Sequence, residues 1–413
     1  MKIYSGRGAR RVTAGLLLAG LVAGTLGTAA GPATASGDAR GRLVSATAMR
    51  TYHSADEVAA ELRGAEFDAG AVRYGVDTYR LVYRTVDVAG RPTTASGLVA
   101  LPRNHVRELR TVSYAHGTTT YRGDAPSAPA EDGWAQAPAL TYAAAGFAAV
   151  SPDYLGMGTG PGPHPWMHIP SETTASLDLL RAAREFVPTK GKALKRQVLA
   201  AGFSQGASAA LGLGRELEAG GDPWFRLAAV APISGAYDFR GAEIPALLNK
   251  ELEPKLSVLY TALFLVTFNR RAHFYTDPAE VFQDGYAHKI EALFDGSVPG
   301  QVLFRETPES LKDLLKPRGF ELLRNPPASL AAELRVTDAV CTDWTPKAPV
   351  RLFEIVKDEQ AANANTARCA ASLRGHGVDP HLTTFTEGDY NGSAHLSSNI
   401  QGTAATVRWF AEL

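Results

Sequence analysis

Apolar and polar residues alternate in two neighbouring stretches, 79–88 and 94–101, on either side of Ala89-Gly90-Arg91-Pro92. Period-two alternation around a turn-forming tetrapeptide predicts a β-hairpin. Beyond it, short β-prone apolar runs take turns with segments of helical spacing. Residues 111–115, 147–151, 197–201 and 227–233 read as strands, and 137–145, 173–186 and 207–218 as helices. In 173–186 the apolar positions Ala175, Leu179, Ala182, Ala183 and Phe186 lie close to helical spacing. Such a rhythm predicts an α/β fold, a mostly parallel sheet flanked by helices.

Between about 237 and 345 the rhythm stops, and helix-like pieces such as 244–252 and 310–315 replace strand patterns. It resumes with a strand at 350–356, a helix at 361–374, a strand at 381–385 and a terminal helix at 400–411. The pattern therefore predicts one α/β domain over 36–413 carrying a helical insertion at about 237–345. The polar stretch before the hairpin carries no assigned element.

Composition leaves this picture intact, since 413 residues that are 45% hydrophobic and 20% charged are enough for a sizeable core. The 42 basic residues match the 42 acidic ones, so no field favours nucleic acid or an anionic membrane. Selectivity must come from a pocket.

The N-terminus adds an address. Lys2, Arg7, Arg10 and Arg11 precede an apolar run at 16–23, and small residues end in Ala33-Thr34-Ala35. This reads as a signal peptide, 1–35, cleaved after Ala35, and predicts a secreted, extracellular protein. A membrane anchor fits less well, because the uncharged stretch 12–37 is rich in Gly, Ala and Thr and contains Pro32. Arg10-Arg11 leaves a twin-arginine route open beside general secretion. Two cysteines, Cys341 and Cys369, in an exported chain predict one disulfide. Their spacing supports no zinc cluster, and no metal or organic cofactor is implied.

The strand at 197–201 runs into Gly202-Phe203-Ser204-Gln205-Gly206 and then into the small residues Ala207, Ser208, Ala209 and Ala210. A strand, Gly-x-Ser-x-Gly and a helix together form the context of a nucleophile elbow, in which a strained turn lifts the serine hydroxyl clear. Ser204 is the expected nucleophile.

Enzymes with this elbow take a carboxylate after a late strand and a histidine just before the last helix. Strand 351–356 delivers Lys357-Asp358-Glu359, and 388–395 ends in Ser393-Ala394-His395 ahead of the last helix. His395 is the expected base and Asp358 the expected acid. Glu359, Asp343, Asp379 and Asp389 are the other carboxylates in range, and His376 and His381 the other imidazoles. His376 closes a helix, and His381 begins a strand at the end away from the active edge. Tyr114-Ala115-His116-Gly117-Thr118 follows the strand that usually donates one oxyanion N–H, which points to Thr118. The second donor is the residue after the nucleophile, Gln205. His116 reads as a hydrogen-bonding brace.

With these residues in place, the chain resembles the α/β-hydrolase superfamily and, within it, the secretory lipase and esterase family of lipase A type. The matching pieces are Ala115-His116-Gly117-Thr118, Ser151-Pro-Asp-Tyr-Leu-Gly-Met-Gly158, Gly202-Phe-Ser-Gln-Gly206, the region of Asp358, and Ser393-Ala-His395. They span roughly 79–413. The family usually follows its acid with Val-Pro, whereas this chain has Asp358-Glu-Gln-Ala-Ala362. The resemblance implies hydrolysis of small-molecule or lipid esters, with the insertion as a lid making transient contact with a lipid interface. No obligate protein partner is implied. The uncharged segment 256–268 has two readings, the lining of an acyl pocket or packing of the insertion onto the domain. A secreted serine exopeptidase and a non-catalytic binding protein are the competing functions, because the fold by itself separates none of them.

Overall fold

A computed structural model describes residues 40–128 and 133–413, so the signal peptide expected at 1–35 lies outside the described residues. Nine strands form one sheet in the order β1-β2-β3-β5-β4-β6-β7-β8-β9. They are β1 (Leu43–Tyr52), β2 (Val76–Val86), β3 (Pro92–Pro102), β4 (Glu108–Ala115), β5 (Ala148–Pro152), β6 (Ala193–Phe203), β7 (Arg226–Ile233), β8 (Arg351–Ile355) and β9 (His381–Phe385). The pairings β1/β2, β2/β3 and β3/β5 are antiparallel, and all the rest are parallel. The sheet is mostly parallel, as the alternating rhythm predicts.

The hairpin forms where the pattern places it, with Val86 opposite Pro92. Its turn is set by Asp87, whose Oδ1 accepts the backbone N–H groups of Ala89 and Arg91 at 2.9 Å each, and by Gly90 at φ +76°. Strand β1 and helix α1 (Ala55–Gly64) occupy the stretch that carried no assigned element. Strand β1 lies on the sheet edge with most of its residues exposed, so it shows no apolar alternation.

Helices α2 (Ala137–Ala144), α3 (Ile169–Phe186) and α4 (Gln205–Glu218) supply the crossovers between β4 and β7. The sheet has a core on each face. One packs Leu179, Ala183 and Leu211 of α3 and α4, and the other packs Leu62, Tyr142 and Phe410 of α1, α2 and the C-terminal helix Ala394–Glu412.

Between β7 and β8 the chain is helical. The main pieces are α5 (Ile244–Leu248), α6 (Pro254–Ala272) and the helix Ala328–Thr337. The uncharged segment inside α6 both packs the insertion onto the domain and lines a cavity. Val258, Ala262, Leu265 and Phe268 join the core shared with α3 and α4, while Leu256, Tyr260, Thr261 and Phe264 line a cavity beside Ser204. Cys341 and Cys369 are bonded as a disulfide, tying the end of the insertion to the helix Ala364–Gly375. Among the described residues no helix is long and apolar enough to cross a membrane.

Candidate active site

Strand β6 ends at Phe203 and α4 begins at Gln205, so one residue makes the whole turn. That residue is Ser204, at φ +55° and ψ −119°. Such a conformation costs about 1–3 kcal/mol and persists only where its surroundings enforce it. The flanking glycines are required by contact: a Cβ on Gly202 would lie 2.0 Å from the Gly206 carbonyl oxygen, and one on Gly206 would lie 1.9 Å from that of Ala115. Strand and helix can approach this closely only without side chains.

The structure brings Ser204, His395 and Asp358 together. His395 Nε2 lies 3.0 Å from Ser204 Oγ, and its Nδ1 lies 2.8 Å from Asp358 Oδ2. With the Nδ1 proton directed at the carboxylate, Nε2 is left to accept the serine hydroxyl. The other oxygen of Asp358 accepts the backbone N–H groups of Gln360 (3.0 Å) and Ala361 (2.9 Å), which fixes the plane of the carboxylate. His395 is 1% exposed. Burial would lower its pKa, but the nearby charges of Asp358, Glu359 and Glu243 and the bond to Asp358 outweigh that, and the net shift is upward.

The competing residues sit elsewhere. Asp343 pairs with Arg215, Asp379 with Arg374, and Asp389 accepts the N–H of Gly392. His376 faces the Trp344 carbonyl, and His381 opens β9 in an exposed position. Glu359, adjacent to the acid, accepts the backbone N–H of His395 (3.1 Å) and the hydroxyl of Ser393, the N-cap of the last helix. It holds the main chain of the histidine rather than its ring.

The loop after β4 passes directly over Ser204, since a Cβ on Gly117 would meet Phe203 at 2.8 Å and the Ser204 Cβ at 3.4 Å. Thr118 follows, and its hydroxyl accepts the indole N–H of Trp166 at 2.9 Å. His116 lies between the carbonyls of Gly117 (2.7 Å) and Asp153 (3.3 Å), the bracing position expected of it. Gln205, as the first residue of α4, has a backbone N–H without an acceptor inside the helix.

Two cavities meet at this loop. An apolar slot of about 50 Å³ runs from Ser204 and Thr118 between Trp166, Leu247, Leu256 and Phe264. A wider cavity of about 900 Å³, with more polar walls, lies on the far side of Thr118, bounded by Phe203, Trp134, Asn399 and Gln301. Sequence reasoning missed Trp166, whose ring stacks on Tyr260 of the uncharged segment at 6.3 Å beside the slot. It also missed the bond from Tyr260 to Gln360 (2.9 Å), which joins the insertion to the acid loop. No local pattern marks these pairings; only the fold makes the residues neighbours.

A mostly parallel sheet with the strained serine turn at the carboxyl end of the interior strand β6, and a helical insertion after the next strand, defines an α/β-hydrolase of lipase- and esterase-like build. The chain is similar to the rice cell wall degrading esterase LipA from Xanthomonas oryzae, with a TM-score of 0.79 and 25% identity over 91% of this chain and 98% of that one. A Legionella pneumophila structure is alike to the same degree, at TM-score 0.79 and 23% identity over 90% and 98%. Candida antarctica lipase A in its closed state shares the fold at TM-score 0.65 and 15% identity, over 91% and 82%. No protein-family model and no curated protein sequence matches the chain.

Proposed function

We propose that this chain is an exported serine esterase or lipase, with a signal peptide at 1–35 and a hydrolase domain at 36–413 whose insertion at about 237–345 acts as a lid. The observation that carries the reading is the relay from Ser204 Oγ through His395 to Asp358, at 3.0 Å and 2.8 Å, on a turn that lifts the serine out of the sheet. The esterase and lipase neighbours support ester hydrolysis as the reaction class.

In this mechanism His395 Nε2 takes the Ser204 proton as Oγ attacks the ester carbonyl carbon, and the carbonyl π pair moves onto oxygen. The backbone N–H groups of Gln205 and Thr118 receive that oxyanion. Asp358 holds the imidazole in the productive tautomer and stabilises the imidazolium. As the tetrahedral species collapses, the C–O bond to the alcohol breaks and His395 returns the proton to the departing oxygen. Water then repeats the sequence on the acyl-serine and releases the acid. The apolar slot suits the acyl chain, and the wider cavity leaves room for the alcohol.

The test is labelling with a fluorophosphonate, followed by peptide mass spectrometry, beside assays of p-nitrophenyl esters and aminoacyl amides. An adduct on Ser204 with ester turnover is expected. A folded protein that stays unlabelled or labels elsewhere overturns the nucleophile, and amide turnover without ester turnover moves the reading to an exopeptidase.

A further inference from the structure

Behind Ser204, helix α3 presents Glu172 to the side chain of Gln205. The Gln205 Nε2 donates to Glu172 Oε1 (2.7 Å) and lies 2.9 Å from His164 Nε2, while His164 Nδ1 is 3.0 Å from the Leu155 carbonyl. A proton on Nδ1 satisfies that carbonyl and leaves Nε2 to accept the second hydrogen of Gln205. All three side chains are buried. Two oxygens of this group have no hydrogen-bond partner: Glu172 Oε2 and Gln205 Oε1. These are the atoms that the second half of a cyclic acid–amide pair joins. Only a carboxyl that keeps its proton has an O–H to give, whereas a carboxylate leaves both oxygens as acceptors without a donor.

We propose that Glu172 works as a neutral acid, clamping the Gln205 side chain through this two-bond pair and so holding the Gln205 backbone N–H on the oxyanion, and that ionisation of Glu172 slows the reaction. The inference rests on the Ser204 mechanism above and adds a positioning residue to it.

The surroundings favour the neutral form. Burial pushes the Glu172 carboxyl up to about 8, against the opposing effects of its bonds from Gln205 and the Met167 backbone and the charge of Arg271. From the segment before α3, burial pushes both His164 and His168 down to about 4, so neither supplies a cation. Tyr154 follows β5, and burial holds its hydroxyl well above its ordinary value. Arg271, on α6, is the cation in range, and its Nε is bonded to Glu333 of the helix Ala328–Thr337 at 2.8 Å. The reaction builds negative charge at the Gln205 N–H, next to the clamped side chain. A second negative charge on Glu172, in surroundings that screen poorly, opposes it.

The experiment measures kcat and KM for p-nitrophenyl butyrate between about pH 6 and about pH 10, corrected for spontaneous hydrolysis, for the wild-type chain, Glu172→Gln and Glu172→Leu. Wild-type kcat is expected to fall on the alkaline side with a midpoint near 8. Glu172→Gln keeps both bonds as an amide–amide pair and cannot ionise, so it should retain kcat within about threefold near neutrality and lose the alkaline fall. Glu172→Leu removes both bonds and should lower kcat about tenfold or more, with KM changed by about twofold at most. An alkaline fall of unchanged midpoint in Glu172→Gln, or wild-type kcat in Glu172→Leu, overturns the proposal. Where circular dichroism shows Glu172→Leu unfolded, the Glu172→Gln profile decides. A wild-type protein that neither turns over the ester nor takes a fluorophosphonate on Ser204 overturns the underlying mechanism instead, an outcome distinct from all of these.

Discussion

Glu359 accepts the backbone N–H of His395 at 3.1 Å, while its neighbour Asp358 meets the ring of the same histidine. Two adjacent carboxylates thus share the placement of one residue, Asp358 orienting the imidazole and Glu359 holding the start of the last helix. Asp358→Asn should therefore lower turnover by about two to four orders of magnitude in a folded protein, because the base remains but its tautomer and orientation are lost. Glu359→Gln should keep kcat within about tenfold. Steady-state kinetics on p-nitrophenyl esters distinguish the two, and the reverse order of effects would move the acid to Glu359.

Glu359→Gln should instead register in stability, by about 1–2 kcal/mol, as a bonded carboxylate is replaced. Burial acts to raise the Glu359 pKa, but its bonds from Ser393, Gln360 and the His395 backbone outweigh that and lower it. A depressed folded-state pKa contributes stability that is present above the ordinary carboxylate range and lost as pH falls through the lowered value. Melting curves of the two proteins should differ near neutrality and converge in acid.

Ser204→Ala and His395→Ala should each remove activity by roughly 10⁴-fold or more, and the double variant should lose little further, since the two act as a unit in proton transfer. Additive losses in kcat/KM would argue against a shared step.

The net upward shift of His395 sets the acid limb of the activity profile. Only the neutral imidazole accepts the Ser204 proton, so activity should rise with pH through a midpoint above the ordinary value of 6.5. In Asp358→Asn the supporting charge is gone, and the residual activity should rise at lower pH than in the wild type. An unchanged midpoint would detach the limb from His395.

Replacing Cys341 and Cys369 by serine opens a bridge that spans 28 residues of sequence. The chain-entropy model sets the loss at about 3–4 kcal/mol as an upper bound. Denaturant titration should report it, and free thiols in the unreduced, denatured wild type would exclude the bond.

Trp166→Phe keeps the aromatic packing on Tyr260 but removes the donor to Thr118. If Thr118 positions an oxyanion donor, kcat should fall on the order of tenfold while the melting temperature stays close to wild type, because small misplacements at reacting centres are costly. Unchanged kcat would remove Thr118 from the hole.

Local pattern was enough for the elements whose stability is decided locally or by simple burial. The apolar run before Gly202, the two glycines and the small residues after Ser204 together spelled a strand, a strained turn and a helix, and the fold contains all three. The helical insertion was equally legible, as a break in the rhythm. Strand β1 was not, because an exposed edge strand needs no apolar face and is held by its pairing to β2.

By itself, then, the sequence determined the alternating α/β plan, the position of Ser204, the slot occupied by His395 and a short set of carboxylates. Tertiary structure alone decided which carboxylate faces the ring, since Asp358 and Glu359 are neighbours in the chain and differ only in where the turn after β8 points them. It alone placed Trp166 against Thr118, Tyr260 against Gln360, and Glu172 and His164 against Gln205, across separations of 33 to 100 residues. The physical reason is the range of the forces involved. Burial and backbone geometry leave a periodic imprint on nearby positions, whereas a hydrogen bond between distant side chains depends on angles and distances that exist only once the sheet has brought them together.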